Sequence, residues 1–230
     1  MRSVLRRERR RRNLLARQNN PPPLPQNALL EHRDLPEPGV SESELRVVVT
    51  GDRFLAEGIV QSPAPLCYYL IYYDPDEAFS ALQERATVGA IIDLDGWDVP
   101  TIALLDKVRT FRQRRPELKI AFLTSDDECA LLSFVQASCR AVVISKRQRL
   151  CAMRGMLQST LIPPVPQGRV FTRKQWKILL LLAEGYSLRA IALEQQLPYH
   201  RITYRTGRIL ALLRLHCRQQ LLRLLQRMSG

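Results

Sequence analysis

The sequence predicts an α/β fold, a doubly wound (βα)5 parallel sheet followed by a smaller all-α domain of four helices. Two patterns lead to this expectation. Between residues 44 and 161, short apolar runs alternate with amphipathic stretches of helix length, as in a parallel sheet with crossover helices. From residue 169 to residue 230, the apolar residues recur with helical spacing instead. Residues 162–168, with the sequence IPPVPQG, lie between the two patterns and are predicted to be an interdomain linker.

Residues 1–43 carry neither pattern. Arg6 to Arg12 form a basic run that only Glu8 interrupts, and the sequence PPPLP follows at residues 21–25. Segments of this composition bury too little apolar surface to fold alone. We therefore expect a disordered tail, with a nucleic-acid-binding arm or an over-extended start of translation as the alternatives.

The net charge of +13 is concentrated at the two ends of the chain. Residues 1–18 carry a net charge of +7 and residues 169–230 carry +10, so the remaining residues carry −4. This distribution indicates a polyanionic partner for the ends and a nearly neutral globule between them.

Several classes of protein are disfavoured by what the sequence lacks. The five cysteines show no CxxC spacing and the three histidines lie far apart, so we expect reduced thiols and no metal site. No apolar run reaches the roughly 18 residues of a membrane-spanning helix. Neither a GxSxG turn nor a glycine-rich phosphate loop is found. We expect a cytoplasmic protein that is not an enzyme and has no membrane partner.

Five short apolar runs are the predicted strands. They are Arg46–Thr50, Leu70–Tyr73, Ala90–Ile92, Ile120–Leu123 and Ala141–Ile144. Between them, helices are predicted over Pro75–Arg85 and Thr101–Arg114. In an open parallel sheet, the functional crevice lies outside the carboxyl ends of the strands. The polar residues that follow these ends are Asp52, Asp93, Thr124 and Lys146.

This segment resembles the receiver domain of two-component response regulators. Gly89–Leu94 looks like the strand that ends in the phosphorylated aspartate, residues 121–124 like the strand that ends in the switch hydroxyl, and residues 142–146 like the strand that ends in the phosphate-binding lysine. The resemblance implies that Asp93 is the candidate phosphoacceptor. It also implies a receiver pocket, formed by Asp52, Thr124 and Lys146. These residue types supply a nucleophile, a hydroxyl and a cation for a phosphoryl group.

The resemblance has two departures. The adjacent acid pair that holds Mg²⁺ in the family is replaced by Thr50-Gly51-Asp52, which leaves one acid at most. The aromatic residue of the last strand is replaced by Val142 or Val143. With one hard oxygen ligand fewer, Mg²⁺ should bind weakly. We therefore expect no cofactor and a receiver that acts without phosphorylation, with conventional phosphorylation as the alternative.

The C-terminal domain has the start and stop signals of a helix-turn-helix. Thr172 is a good N-cap for a first helix, and Gly185 stands where a left-handed residue ends it. Ser187 caps a short second helix, and Pro198 occupies the first position of a third. In this arrangement, the third helix is the one that enters a DNA major groove.

A helical wheel divides the third helix into two faces. Ile202, Thr206, Ile209 and Leu213 share the face that should pack inward. The opposite face collects His200, Arg201, Thr203, Tyr204, Gly207 and Arg208, with Arg205 at its margin. Because twelve basic and two acidic residues lie between 169 and 230, this face suits the neutralisation of phosphates.

The domain resembles the LuxR-type (NarL/FixJ) helix-turn-helix without a gap. The matching stretches are Phe171-Thr172, Ala183–Ser187 with Ile191-Ala192, and Arg208–Leu210. The resemblance implies base contacts from Thr203, Tyr204 and Gly207. It implies phosphate contacts from His200, Arg201, Arg205 and Arg208. It also implies a dimer contact through Leu221, Leu222 and Leu225 on a fourth helix, and the surface of the receiver-like domain is the alternative contact. Gln175, Lys177 and the pair Tyr204-Arg205 depart from the family pattern, which bears on the target sequence and not on the fold.

Together these observations predict a sequence-specific transcription regulator that binds double-stranded DNA. It is expected to act as a homodimer or as a heterodimer with another response regulator, and residues 169–230 are expected to bind DNA by themselves. The alternatives are a conventional phosphorylated response regulator and an RNA-binding antiterminator.

Overall fold

The computed structural model describes residues 45–61, 68–84, 87–148 and 169–229. The predicted tail, residues 1–43, and the predicted linker, residues 162–168, lie outside the described residues. The boundaries proposed for them stay predictions.

The described strands form one parallel five-stranded sheet in the order β2-β1-β3-β4-β5. Their bounds are Leu45–Val49 for β1, Tyr68–Tyr72 for β2, Gly89–Asp93 for β3, Lys119–Thr124 for β4 and Val142–Ser145 for β5. The predicted parallel sheet is confirmed, with strand ends that differ from the prediction by one or two residues. After β2 the strands are added on the other side of β1, so β3 is the central strand and β2 and β5 are at the edges.

Helices cover both faces of the sheet, which makes it doubly wound. Helix α1 spans Arg53–Val60, α2 spans Pro75–Glu84, α3 spans Thr101–Arg114 and α4 spans Cys129–Cys139. One face of the sheet, formed by alternate residues such as Val48, Ile91 and Ala121, packs against Ile59 of α1. The residues between them, such as Val47 and Ile92, face α2, α3 and α4. Strands buried on both faces explain why each reads as a continuous apolar run.

Four helices follow in the C-terminal region, as predicted. They are α5 over Arg173–Ala183, α6 over Leu188–Glu194, α7 over Tyr199–Leu213 and α8 over Arg218–Ser229. Thr172 and Gln175 form a reciprocal capping box at the start of α5. Gly185 has φ of +90° and ends that helix, while the Ser187 hydroxyl caps α6. Pro198 is the N-cap of α7 and not its first helical residue.

The packing of α8 contradicts one prediction. The side chains of Leu221 and Leu225 are 0% and 1% exposed, because they pack with Leu224 and Met228 into the chain's own apolar core, against α3 and α5. Leu222 is only partly buried. The assignment of Leu221 and Leu225 as dimer contacts is therefore wrong for this conformation. None of the described helices is long and apolar enough to span a membrane.

Candidate nucleic-acid interface and buried carboxylate cluster

A cluster of polar side chains lies at the carboxyl edge of the sheet, around Asp93. Asp93 is the last residue of β3, and its side chain is 0% exposed. The Nζ atom of Lys146, just beyond β5, lies 2.5 Å from its Oδ1. The Thr50 hydroxyl, just beyond β1, donates to its Oδ2 at 2.7 Å. Both carboxylate oxygens are therefore engaged, one by a residue that follows the neighbouring strand β1 and one by a residue that follows β5, two strands away.

Asp95 completes the cluster and was missed by the sequence analysis. Its Oδ2 lies 3.1 Å from Lys146 Nζ and accepts a hydrogen bond from the backbone N–H of Ser125 at 2.6 Å. Its Oδ1 accepts from the Thr124 hydroxyl at 3.2 Å. The backbone N–H of Asp95 also donates to Asp93 Oδ1 at 3.0 Å, so the predicted pocket residue Thr124 is linked to Asp93 through Asp95. The sole signal for Asp95 was its place two residues beyond Asp93, at the same edge of the sheet.

The electrostatics of the cluster act differently on its members. Burial raises the pKa of the Asp93 carboxyl above its ordinary value, and the hydrogen bonds from Lys146, Asp95 and Thr50 offset only part of this effect. Burial lowers the pKa of the Lys146 ammonium, but the carboxylates of Asp93 and Asp95 outweigh burial and raise that pKa above its ordinary value. For Asp95, burial opposes ionisation, but hydrogen bonds from Ser125 and Lys146 prevail and lower the pKa of the carboxyl. Lys146 is thus held as a cation between two carboxylates.

Asp52, predicted to line the same pocket, is placed elsewhere. Its Oδ1 accepts hydrogen bonds from the backbone N–H groups of Phe54 and Leu55, at 2.9 and 3.2 Å, so its carboxylate is the N-cap of α1. The side chain is exposed. Its inclusion in the pocket is corrected, because an aspartate directly before a helix serves equally well as a cap.

Trp97, in the loop that follows β3, lies beside both Asp93 and Gly51. The indole Nε1 of Trp97 donates to the backbone carbonyl of Asp93 at 2.6 Å. A Cβ atom placed on Gly51 would lie 3.1 Å from the carbonyl oxygen of Gly96 and 4.0 Å from Cζ3 of Trp97. A carboxylate side chain at position 51 would therefore require the loop at Gly96 to move.

The second candidate site is the outer face of α7. The four residues of its inner face are buried, and the Thr206 hydroxyl there donates to the Ile202 carbonyl at 2.9 Å. The side chains predicted to face DNA are exposed, namely His200, Arg201, Thr203, Tyr204 and Arg208, together with Gly207. Tyr204 is 68% exposed although it carries an aromatic ring. The structure thus brings the predicted set together on one solvent-facing side of α7.

Arg205 differs from its neighbours on α7. It is only partly exposed, and its Nη1 is buried with no hydrogen-bond partner among the described residues. This agrees with its predicted place at the margin between the two faces.

Comparison with known proteins gives one curated relative of high similarity and several solved structures. The fimbriae Y protein of Salmonella typhimurium strain LT2 is 31% identical over 191 residues, which cover 80% of this chain and 76% of the relative. No family model matches the chain.

The similar solved structures are response regulators. RcsB of Salmonella enterica serovar Typhimurium, bound to the rprA promoter, is 17% identical, with 80% of this chain and 98% of that chain covered and a TM-score of 0.47. A second RcsB–DNA complex is 17% identical, covers 81% of this chain and 100% of its own, and has a TM-score of 0.48. A relative as similar as the fimbriae Y protein, over this much of both chains, shows the family: the chain belongs to the family of the fimbriae Y protein.

Proposed function

We propose that this protein is a transcription regulator that binds double-stranded DNA sequence-specifically through α7. One observation carries the proposal: α7 turns an uninterrupted polar and basic face to solvent while its opposite face is buried. An exposed face of this kind, on the last helix of a helix-turn-helix, has the geometry of a major-groove reader. The surrounding region, with twelve basic and two acidic residues between 169 and 230, suits a polyanion.

The roles of the α7 residues follow from their chemistry. Thr203, Tyr204 and Gly207 are proposed to lie against base edges. His200, Arg201, Arg205 and Arg208 are proposed to contact phosphates. The long cationic side chains of the arginines reach the backbone, and the imidazole of His200 can donate a hydrogen bond to a phosphate oxygen.

The glycine at position 207 supports the proposal that this side of α7 lies against base edges. A Cβ at Gly207 would meet no atom of the described residues within 4 Å, so packing inside the chain does not require glycine there. A glycine inside a helix costs about 1 kcal/mol relative to alanine. That cost is explained if the helix backbone must approach DNA closely at this point.

We further propose that regulation does not depend on phosphorylation of Asp93, and that the protein is not an enzyme. The residues at the carboxyl edge do not fit Mg²⁺. Thr50 and Gly51 offer no carboxylate, Asp52 caps α1, and the single ammonium of Lys146 already pairs with both Asp93 and Asp95. Among the described residues, no group of three or more His, Cys, Asp or Glu side chains could hold a metal ion.

The proposal also concerns the oligomeric state of the protein. We propose a homodimer, or a heterodimer with another response regulator, in agreement with the dyad symmetry on which most helix-turn-helix proteins rely. Because Leu221 and Leu225 are buried within the chain, the contact would use a surface other than theirs.

Binding of the full chain to duplex DNA and to hairpin RNA tests the main proposal. In electrophoretic mobility shifts, the affinity for duplex DNA should fall by about 10³ or more between roughly 50 and 200 mM salt, if about six phosphates are contacted.

One variant tests the contribution of α7. Arg208→Ala should reduce the slope of log affinity against log salt concentration by about one. Arg223→Ala, which removes a charge that is also exposed but lies on α8, is the matched control and should stay near wild type. Salt-independent binding, or preference for hairpin RNA, would contradict the proposal, and the latter would favour the antiterminator alternative.

Labelling with acetyl phosphate tests independence from phosphorylation. Because Lys146 and Thr50 occupy both Asp93 oxygens, wild-type protein with Mg²⁺ should carry no more label than Asp93→Asn. Mg²⁺-dependent label on the wild type that is lost in Asp93→Asn would identify a conventional phosphorylated response regulator.

A further inference from the structure

Phe171 begins the helical region, by which we mean residues 171–229 with helices α5–α8. Its backbone is fixed to the sheet layer, by which we mean the sheet and helices α1–α4 in the described residues between 45 and 148. The N–H group of Phe171 donates to the Ala137 carbonyl of α4 at 2.9 Å, and its own carbonyl accepts a hydrogen bond from Arg109 of α3. The Phe171 side chain is 1% exposed. Two backbone hydrogen bonds and a buried ring thus hold one residue against two helices.

Arg109 joins three parts of the chain at once. Its Nη1 donates to the Ser138 carbonyl in α4 at 2.6 Å, while its Nη2 donates to the Phe171 carbonyl. Its guanidinium carbon lies 5.3 Å from the ring centroid of Trp176 in α5, within the range of a cation–π contact. A planar, five-donor guanidinium is suited to such a bridge, and a lysine is not.

Trp176 is the centre of the contact. Its ring packs beside Phe134 of α4, with centroids 5.9 Å apart, and Phe134 packs beside Phe171 at 5.3 Å. The indole Nε1 donates to Asp106 of α3 at 2.6 Å. An aromatic cluster whose polar atom is also satisfied gives a specific and well-packed contact.

A second attachment lies at the other end of the helical region. Arg227 of α8 forms ion pairs with Asp126 and Glu128, in the loop that leads from β4 to α4. The apolar side of α8, with Leu221 and Leu225, packs against α3 and α5. All described residues belong to one compact unit of the structure.

We infer that the sheet layer and helices α5–α8 unfold as one cooperative unit, with Arg109 as the residue that positions α5 on α3 and α4. Separating the two parts would expose Phe171 and Trp176 and leave Asp106 without its indole donor. That residues 169–230 bind duplex DNA by themselves stays a prediction, and this inference argues against it. It goes beyond the proposed function and does not depend on DNA binding, because the outer face of α7 is exposed while the two parts are in contact.

Native-state hydrogen exchange of the full chain, followed by mass spectrometry at increasing denaturant, tests the inference. In the wild type, the slowest amides of β4 and of α7 should both exchange only when the whole unit unfolds. Their hydrogen-exchange rates should then agree within about threefold. In Arg109→Ala, the α7 amides should exchange at least about tenfold faster than those of β4, because the helical region then opens by itself.

Arg112→Ala is the matched control. Arg112 lies one turn further along α3 and donates to the carbonyls of Cys139 and Arg140, which belong to the sheet layer. Its loss should change the exchange of β4 and α7 together. The inference is overturned if the wild type already shows α7 opening about tenfold or more faster than β4, or if Arg109→Ala keeps the two coincident. The wild-type comparison decides the matter even where a variant does not fold.

Discussion

Replacing Lys146 by methionine is expected to lower the free energy of unfolding by about 3–5 kcal/mol, because it leaves the fully buried Asp93 carboxylate without its cation. The double variant that also carries Asp93→Asn should recover most of the loss, since no fully buried unpaired charge then remains. Asp95 also loses Lys146, but it is partly exposed and keeps its hydrogen bonds from Thr124 and Ser125. Urea unfolding followed by circular dichroism measures both.

The control for this prediction is Lys107→Met. Lys107 pairs with Asp76 at 2.6 Å, but both side chains are well exposed, so its loss should cost less than about 1 kcal/mol. Equal effects of Lys146→Met and Lys107→Met would show that the Asp93 cluster does not stabilise the sheet.

Leu221→Asp is expected to destabilise the helical region by more than about 3 kcal/mol, because it places a charge in a fully buried position between α8 and its neighbours. Gln219→Asp, at an exposed position on the same helix, should have little effect. Thermal unfolding and light scattering, measured on the same samples, separate stability from oligomeric state. If Leu221→Asp kept the wild-type melting temperature and changed only the oligomeric state, Leu221 would be a dimer contact after all.

Much of the fold follows from patterns that the sequence displays directly. The strands are buried on both faces and therefore appear as continuous apolar runs, and the span of α3, Thr101–Arg114, was predicted to the residue. The caps of α5 and α6 could be predicted because Thr172 and Ser187 are residue types that satisfy the free N–H groups of a helix start.

The parts that failed depend on three-dimensional contacts. The leucine spacing in α8 shows that one face is apolar, but not whether the chain's own α3 or a second subunit covers it. Asp52 has the residue type of both a pocket ligand and a helix cap, and only the backbone geometry distinguishes them. Asp95 and Thr50 contribute through distances between strands that are far apart in sequence.

The contact that holds the helical region to the sheet layer could not be predicted either. It joins Asp106 and Arg109 to Trp176 across about seventy residues, and none of these residues belongs to a recognisable motif. By contrast, the exposed face of α7 was predicted in full, because it depends only on the periodicity of one helix.

Selection from a pool of random duplex DNA by the full chain tests the central claim of sequence-specific binding most directly. The wild type should enrich one sequence motif over the starting pool. Tyr204→Ala should alter or relax that motif at one position, as expected for a base contact, while Arg208→Ala should weaken binding across all sequences without changing the motif. Recovery of the starting pool without enrichment, by wild-type protein that binds duplex DNA, would contradict the claim.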